Sequence, residues 1–166
     1  MRRTITALLA IGALAAPALA TDPVSIAPIQ FGPELTEKDE EYGQRELDYL
    51  AEEMRNDLER ELADLLGENG MRLEVTIQDA SPNRPTMEQM AARGLHQSSI
   101  SIGGASLEAR LLDASGTELE TFSYSWRSHN IQDVVGYSRW TDARRAMDRF
   151  ADDIGESLSE RNGSGS

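Results

Sequence analysis

A charged stretch with a regular apolar stripe, LDYLAEEMRNDLERELADLL from Leu47 to Leu66, lies between two short apolar runs. No other feature of the chain limits its fold as strongly. Leu47, Leu50, Met54, Leu58, Leu62 and Leu65 recur at spacings of three and four, the period of one helix face. The residues between them are mostly charged, among them Glu52, Glu53, Arg55, Asp57, Arg60 and Asp64. Gly67 follows and is expected to take the left-handed position that ends a helix. Upstream lies VSIAPIQF, residues 24–31. Downstream lies MRLEVTIQ, residues 71–78, where Met71, Leu73, Val75 and Ile77 alternate with Arg72, Glu74, Thr76 and Gln78. Strand, amphipathic helix and strand make a βαβ unit, whose default is a parallel pair of strands.

The rest of the chain extends this unit. Pro28 lacks an N–H, so the first strand belongs at a sheet edge or ends there. Residues 34–46 are acidic and weakly patterned, a connection that turns helical between Asp39 and Gln44. The run DASPNRPT, residues 79–86, holds two prolines and reads as a loop. Thr86 and Gln89 fit a capping box for a short helix over Met87–Ala92, ended by Gly94. A third strand is expected from Ser99, with a bulge at Gly103-Gly104 where the apolar parity switches. Asp113-Ala114-Ser115-Gly116 is a tight hairpin turn, and residues 118–126 return with Phe122, Tyr124 and Trp126 on one face. Residues 127–139 read as a loop. Trp140, Ala143, Met147, Phe150, Ile154 and Leu158 then mark a final helix. The expected fold class is α+β: a single mixed β-sheet of about four strands with two main helices on one face, in the order β-α-β-(short α)-β-β-α.

Arg2 and Arg3, the short apolar core Ile5–Leu14 and the triplet Ala18-Leu19-Ala20 form a cleavable signal peptide over residues 1–20. This leaves one α/β domain over residues 21–160 and a flexible tail over 161–166. The expectation is a soluble protein, periplasmic or secreted, with no stable membrane insertion after cleavage. There is no cysteine, so disulfides, thiolate metal sites and a lipidated N-terminal cysteine are excluded. The full chain carries a formal charge of −13. Without Arg2 and Arg3, 29 acidic residues face the remaining basic ones and the charge is −15. Such a surface repels phosphate backbones, which argues against nucleic acid and anionic membranes as partners.

The candidate binding residues are Asp79, Asn83 and Arg84, in the proline-bounded loop that follows a strand. Asp79 can accept a hydrogen bond, and the Arg84 fork can hold a carboxylate or phosphate. The competing reading is structural, with Asp79 and Asn83 in Asx-turns and Arg84 paired to a nearby acid. His96, His129 and Asp133 have no metal-ligand spacing, and Gly103-Gly104 lacks a phosphate-loop motif. Ser98, Ser99 and Ser101 lack a nucleophile elbow. The motifs therefore point to no catalytic residue, metal or cofactor. Phe122, Tyr124, Trp126 and Trp140 read as core, with a ligand-lined groove as the alternative.

The stretch VSIAPIQF, the helix rich in E-x-x-R and L-x-x-x-L spacings, and RLEVTIQDASPN together resemble small periplasmic α/β domains. The N-terminal domain of the TolB translocation protein and the lipoprotein activators of penicillin-binding proteins have this look, as does a broader set of uncharacterised exported domains. The resemblance covers residues 24–80, and the activators' anchoring cysteine is missing. It implies an exported, non-catalytic protein-binding or envelope-assembly module. A small periplasmic hydrolase using Asp79 and Arg84, or a small-ligand carrier, are the alternatives.

Overall fold

The structure, a computed structural model, describes residues 22–163. The expected signal peptide lies outside them. Five strands form one mixed sheet: β1 (Val24–Ile26), β2 (Gln30–Phe31), β3 (Met71–Ser81), β4 (Gly104–Leu112) and β5 (Glu118–Arg127). The spatial order is β1-β3-β4-β5, and β2 lies beside β3 on the same side as β1. β1 and β2 run parallel to β3, and β3, β4 and β5 run antiparallel. The expected first strand is thus two short pieces, split around Pro28. Both sit at the sheet edge, where a missing N–H costs no ladder bond.

Helices α1 (Pro33–Thr36) and α2 (Asp39–Tyr42) lead into α3 (Gln44–Glu61). Gly43 joins α2 to α3 with φ +88°, a backbone state that side chains disfavour. The chain closes with α4 (Met87–Arg93), a 3-10 turn (Ile131–Val134) and α5 (Thr141–Gly163). Helix α5 continues past Arg161, and of the expected tail only residues 164–166 fall beyond the described residues.

One face of the sheet carries both long helices. Leu47, Leu50, Met54, Leu58 and Leu62 of the first stripe are buried, as are Ala143, Met147, Phe150, Ile154 and Leu158 of α5. They pack with Leu73, Val75, Ile77, Leu107, Ala109 and Leu111 in one core. Each large apolar side chain buried this way contributes about 1.5–3 kcal/mol. The opposite face is polar: Gln78 donates to Glu108 at 2.7 Å and Arg110 to Glu118 at 2.7 Å. The two long helices are also joined at their surfaces by Arg60 with Asp148 at 2.7 Å and Arg144 with Glu53 at 2.5 Å.

β3 runs on to Ser81 by pairing Asp79, Ala80 and Ser81 with β4, so Asp79 stands in the strand and not in the expected loop of residues 79–86. Three further features differ from expectation, each for a reason in the backbone. α3 ends at Glu61 rather than Leu66, because the following residues bond to β1. Leu65 accepts from Val24 N at 2.7 Å, and Gly67 N donates to Val24 O at 3.1 Å. Gly67 therefore serves the strand edge and is not a left-handed helix end. β4 starts at Gly104, not Ser99, because Ser101 is held by Asn83 and not by a strand. The bulge lies in β3 at Gln78, where the register steps from Ile77–Leu107 to Asp79–Ser106.

Candidate functional site

That extra residue in β3 decides the chemistry at the end of the strand. Without it, Asp79 would follow Met71, Leu73, Val75 and Ile77 into the core. With it, Ala80 takes the core position and Asp79 faces the polar side, opposite Ser106. Lys38, between α1 and α2, approaches one carboxylate oxygen of Asp79 at 2.5 Å, and Arg127 at the end of β5 approaches the other at 2.5 Å. Arg127 also donates to Ser81 Oγ at 3.0 Å. Burial disfavours the charge of Lys38, but its hydrogen bond to Asp79 and the nearby negative charge outweigh this and raise its pKa. Burial also raises the pKa of Tyr42, which keeps that phenol protonated beside the pair.

Asn83 is fully buried. Its side-chain oxygen accepts from Asp142 N at 2.9 Å, within the first turn of α5. Its amide nitrogen donates to Asp142 Oδ2 at 2.6 Å and to Ser101 O at 3.2 Å. Its backbone N–H donates to Arg139 O at 2.6 Å, and its carbonyl accepts from Ser101 N at 3.0 Å. Gly103 makes room for it, since a Cβ there would lie 2.7 Å from the Asn83 amide nitrogen. Arg84 donates to Tyr137 O at 3.1 Å and Ser98 O at 2.8 Å. Arg139 donates to Pro85 O at 3.1 Å and pairs with Glu46, which also accepts from Trp140 Nε1 at 2.6 Å. Residues 82–85 thus tie the segments 98–103 and 137–142 together at one end of the sheet.

The candidate residues therefore divide. Asn83 and Arg84 share this knot, whereas Asp79 belongs to the Lys38–Arg127 cluster. None of the three makes an Asx-turn or pairs Arg84 with an acid. The Asp79 cluster and the knot meet at Ser81, which also borders a groove of about 400 Å³. Pro82, Pro85, Leu95, Ile100 and Ile102 give this groove apolar walls, and Gln89 of α4 adds a polar one. Leu95 is 40% exposed, Ile100 38% and Ile102 40%. At the rim, Arg93 pairs with Glu41 at 2.9 Å, and Gln89 donates to the same carboxylate at 2.7 Å. The groove is an apolar slot whose nearby charges are all compensated.

His96 Nδ1 lies 2.7 Å from Ser98 Oγ, and His129 is exposed. No group of three side chains suited to a metal ion occurs among the described residues. Trp140 packs edge-on against Tyr42 with ring centroids 5.6 Å apart, while Trp126 lies half-buried on β5. Lys38, Ser81 and Arg127 carry no sequence signal for this site. They reach it through a strand bulge and two distant elements. Ile100 and Ile102 carried a signal, serine–isoleucine alternation, but it reads as a strand.

Fold and site define a small mixed α/β sheet domain with an apolar groove at one end of its strands. No protein-family model matches the chain, and no curated protein matches it. Among solved structures, a "putative lipoprotein" from Caulobacter crescentus CB15 is similar at 18% identity and a TM-score of 0.44, over 84% of this chain and 90% of that one. A minor lipoprotein from Acinetobacter baumannii is similar at 10% identity and a TM-score of 0.37, over 85% and 94%. Likenesses this low carry no argument about function. No helix among the described residues is long and apolar enough to cross a membrane.

Proposed function

We propose that the chain is an exported, non-catalytic module that binds a protein or other envelope component through the groove beside α4. The observation that supports this reading is the groove itself. Three large apolar side chains stand exposed around a slot of about 400 Å³, held by the buried Asn83 knot. Contiguous exposed apolar surface in a rigid frame favours recognition. The Asp79, Lys38 and Arg127 charges beside it are paired with one another, which suits a polar rim and not proton transfer. Asn83 and Arg84 serve binding in this reading by fixing the frame.

The test compares capture from envelope extract by the native chain and by Ile100→Asp with Ile102→Asp. Both positions lie outside helix and strand and are exposed, at 38% and 40%, and matching circular dichroism of the double variant and the native chain checks that the variant folds. A partner retained by the native chain and lost by the variant supports the reading. Equal retention, or no specific partner for either, refutes it.

A further inference from the structure

The two edges of the sheet are built differently. On one side, β1 and β2 are three and two residues long, are interrupted at Pro28, and have Val24 bonded on to Leu65 and Gly67. That edge is blunted. On the other side, β5 is ten residues long, with no proline or lysine, and no strand among the described residues pairs beyond it.

The backbone of β5 shows which groups are left over. Ser128 N donates to Gly103 O. The register then runs Trp126–Ala105, Tyr124–Leu107, Phe122–Ala109. Hydrogen-bonded and non-bonded pairs alternate in an antiparallel ladder. The even residues of β5 therefore bond β4, and Thr121, Ser123, Ser125 and Arg127 turn their N–H and C=O groups to the open edge. The segment TFSYSW, residues 121–126, is uncharged. Charges stand at its ends with opposite signs. Glu118 and Glu120 precede it, Arg127 follows it, and Arg149 of α5 lies over the Trp126 ring at 5.2 Å. Within the chain Glu118 pairs with Arg110, Glu120 accepts from Ser157 and Arg161, and Arg127 pairs with Asp79.

We infer that this edge pairs with β5 of a second copy of the chain, antiparallel about a two-fold axis at Ser123. Ser123 then faces the partner's Ser123 and Phe122 faces the partner's Tyr124. Glu120 faces the partner's Trp126 and comes beneath the partner's Arg149. Leu119 faces the partner's Arg127. In the antiparallel sense the intrachain pairs at each end gain a neighbour of complementary sign from the other copy, Glu120 with its Arg161 lying beside the partner's Arg149 end; parallel pairing would set like charges together. The contact is the same patch on both copies, as a two-fold interface requires, and the two sheets become one. The inference stands apart from the groove and its partner.

The chain has no cysteine, so a single introduced thiol reports the contact. Purified Ser123→Cys chain is oxidised beside Ser159→Cys, whose thiol sits on an exposed turn of α5. Pairing brings the two thiols introduced at position 123 together, and a covalent dimer is expected on the order of a hundredfold faster than from position 159. Ser123→Pro removes an N–H that pairs with no strand among the described residues, as an edge strand allows. It is expected to keep the native circular dichroism and sediment as a monomer, while the native chain sediments as a dimer. Equal crosslinking rates at the two positions, or a folded Ser123→Pro chain that still dimerises like the native one, overturns the inference. Monomeric sedimentation of the native chain at all concentrations overturns it too, and leaves β5 to a strand from another protein.

Discussion

Asn83 engages both ends of its amide within a fully buried site, and one of its partners is a carboxylate. Removing that amide leaves the buried Asp142 carboxylate with no side-chain hydrogen bond on Oδ2, beside an Oδ1 that has no hydrogen bond and only a long ion pair with Arg145 at 3.8 Å. Asn83→Ala is therefore expected to lower unfolding stability by about 2–4 kcal/mol, read as a shift in the urea midpoint. A loss under about 0.5 kcal/mol, the size of an ordinary surface substitution, would show that the knot does not hold the fold. The neighbouring Thr86 is a milder case. Its hydroxyl accepts from Gln89 N at 3.1 Å and the Gln89 side chain accepts from Thr86 N at 3.0 Å. Thr86→Ala is expected to cost about 1 kcal/mol. The capping box was readable in the sequence because donor and acceptor lie three residues apart. The partners of Asn83 were not, since Ser101 and Asp142 lie 18 and 59 residues away. Asp79, Asn83 and Arg84 stand out in the sequence as candidate binding residues, and the intrachain partners that hold them are visible only in the fold.

Elements follow the same rule. The hairpin between β4 and β5 was readable because its bonds are local. Asp113 Oδ1 accepts from Ser115 N at 2.8 Å and Thr117 N at 2.9 Å, and Gly116 has φ +86°. The Ser115 hydroxyl first, and then the Thr117 and Ser115 amides, lower the pKa of Asp113. A carboxylate with a lowered folded pKa stabilises above its unfolded value, and that contribution fades as the pH falls through the folded value. Asp113→Asn should therefore lower the melting temperature at pH 7, with the difference from the native chain shrinking below about pH 4. A difference that is constant with pH would contradict this. The start of β4 and the end of α3 were misread because each depends on a distant backbone. Residues 65–67 leave the helix to meet Val24, and Ser101 leaves the strand to meet Asn83. Gly103 belongs to the second case. Gly103→Ala forces a Cβ against Asn83 and is expected to cost about 1–3 kcal/mol by the same urea titration.

At the scale of the whole molecule, the layered plan was present in two periodicities. The three-four spacing of residues 47–65 and 140–158 and the two-residue alternation of 71–77 gave the sheet and its two helices. The groove was not present in either, because it is made where the turn at Pro82 and Pro85, helix α4 and the segment at Leu95–Ile102 come together. Charge acts at this scale as well. Excess negative charge disfavours compactness and is screened by salt, so the melting temperature is expected to rise between low and physiological ionic strength. A fall would mean that the ion pairs outweigh the net repulsion. The central claim is that the end of the sheet bearing the groove is the recognition surface. It is tested most directly by a photo-crosslinking side chain placed at position 100, in the groove, and at position 114, in the hairpin at the other end of the strands. In envelope preparations the account predicts a discrete adduct from position 100 that is absent from position 114. Adducts of the same pattern from both, or from position 114 alone, would contradict it.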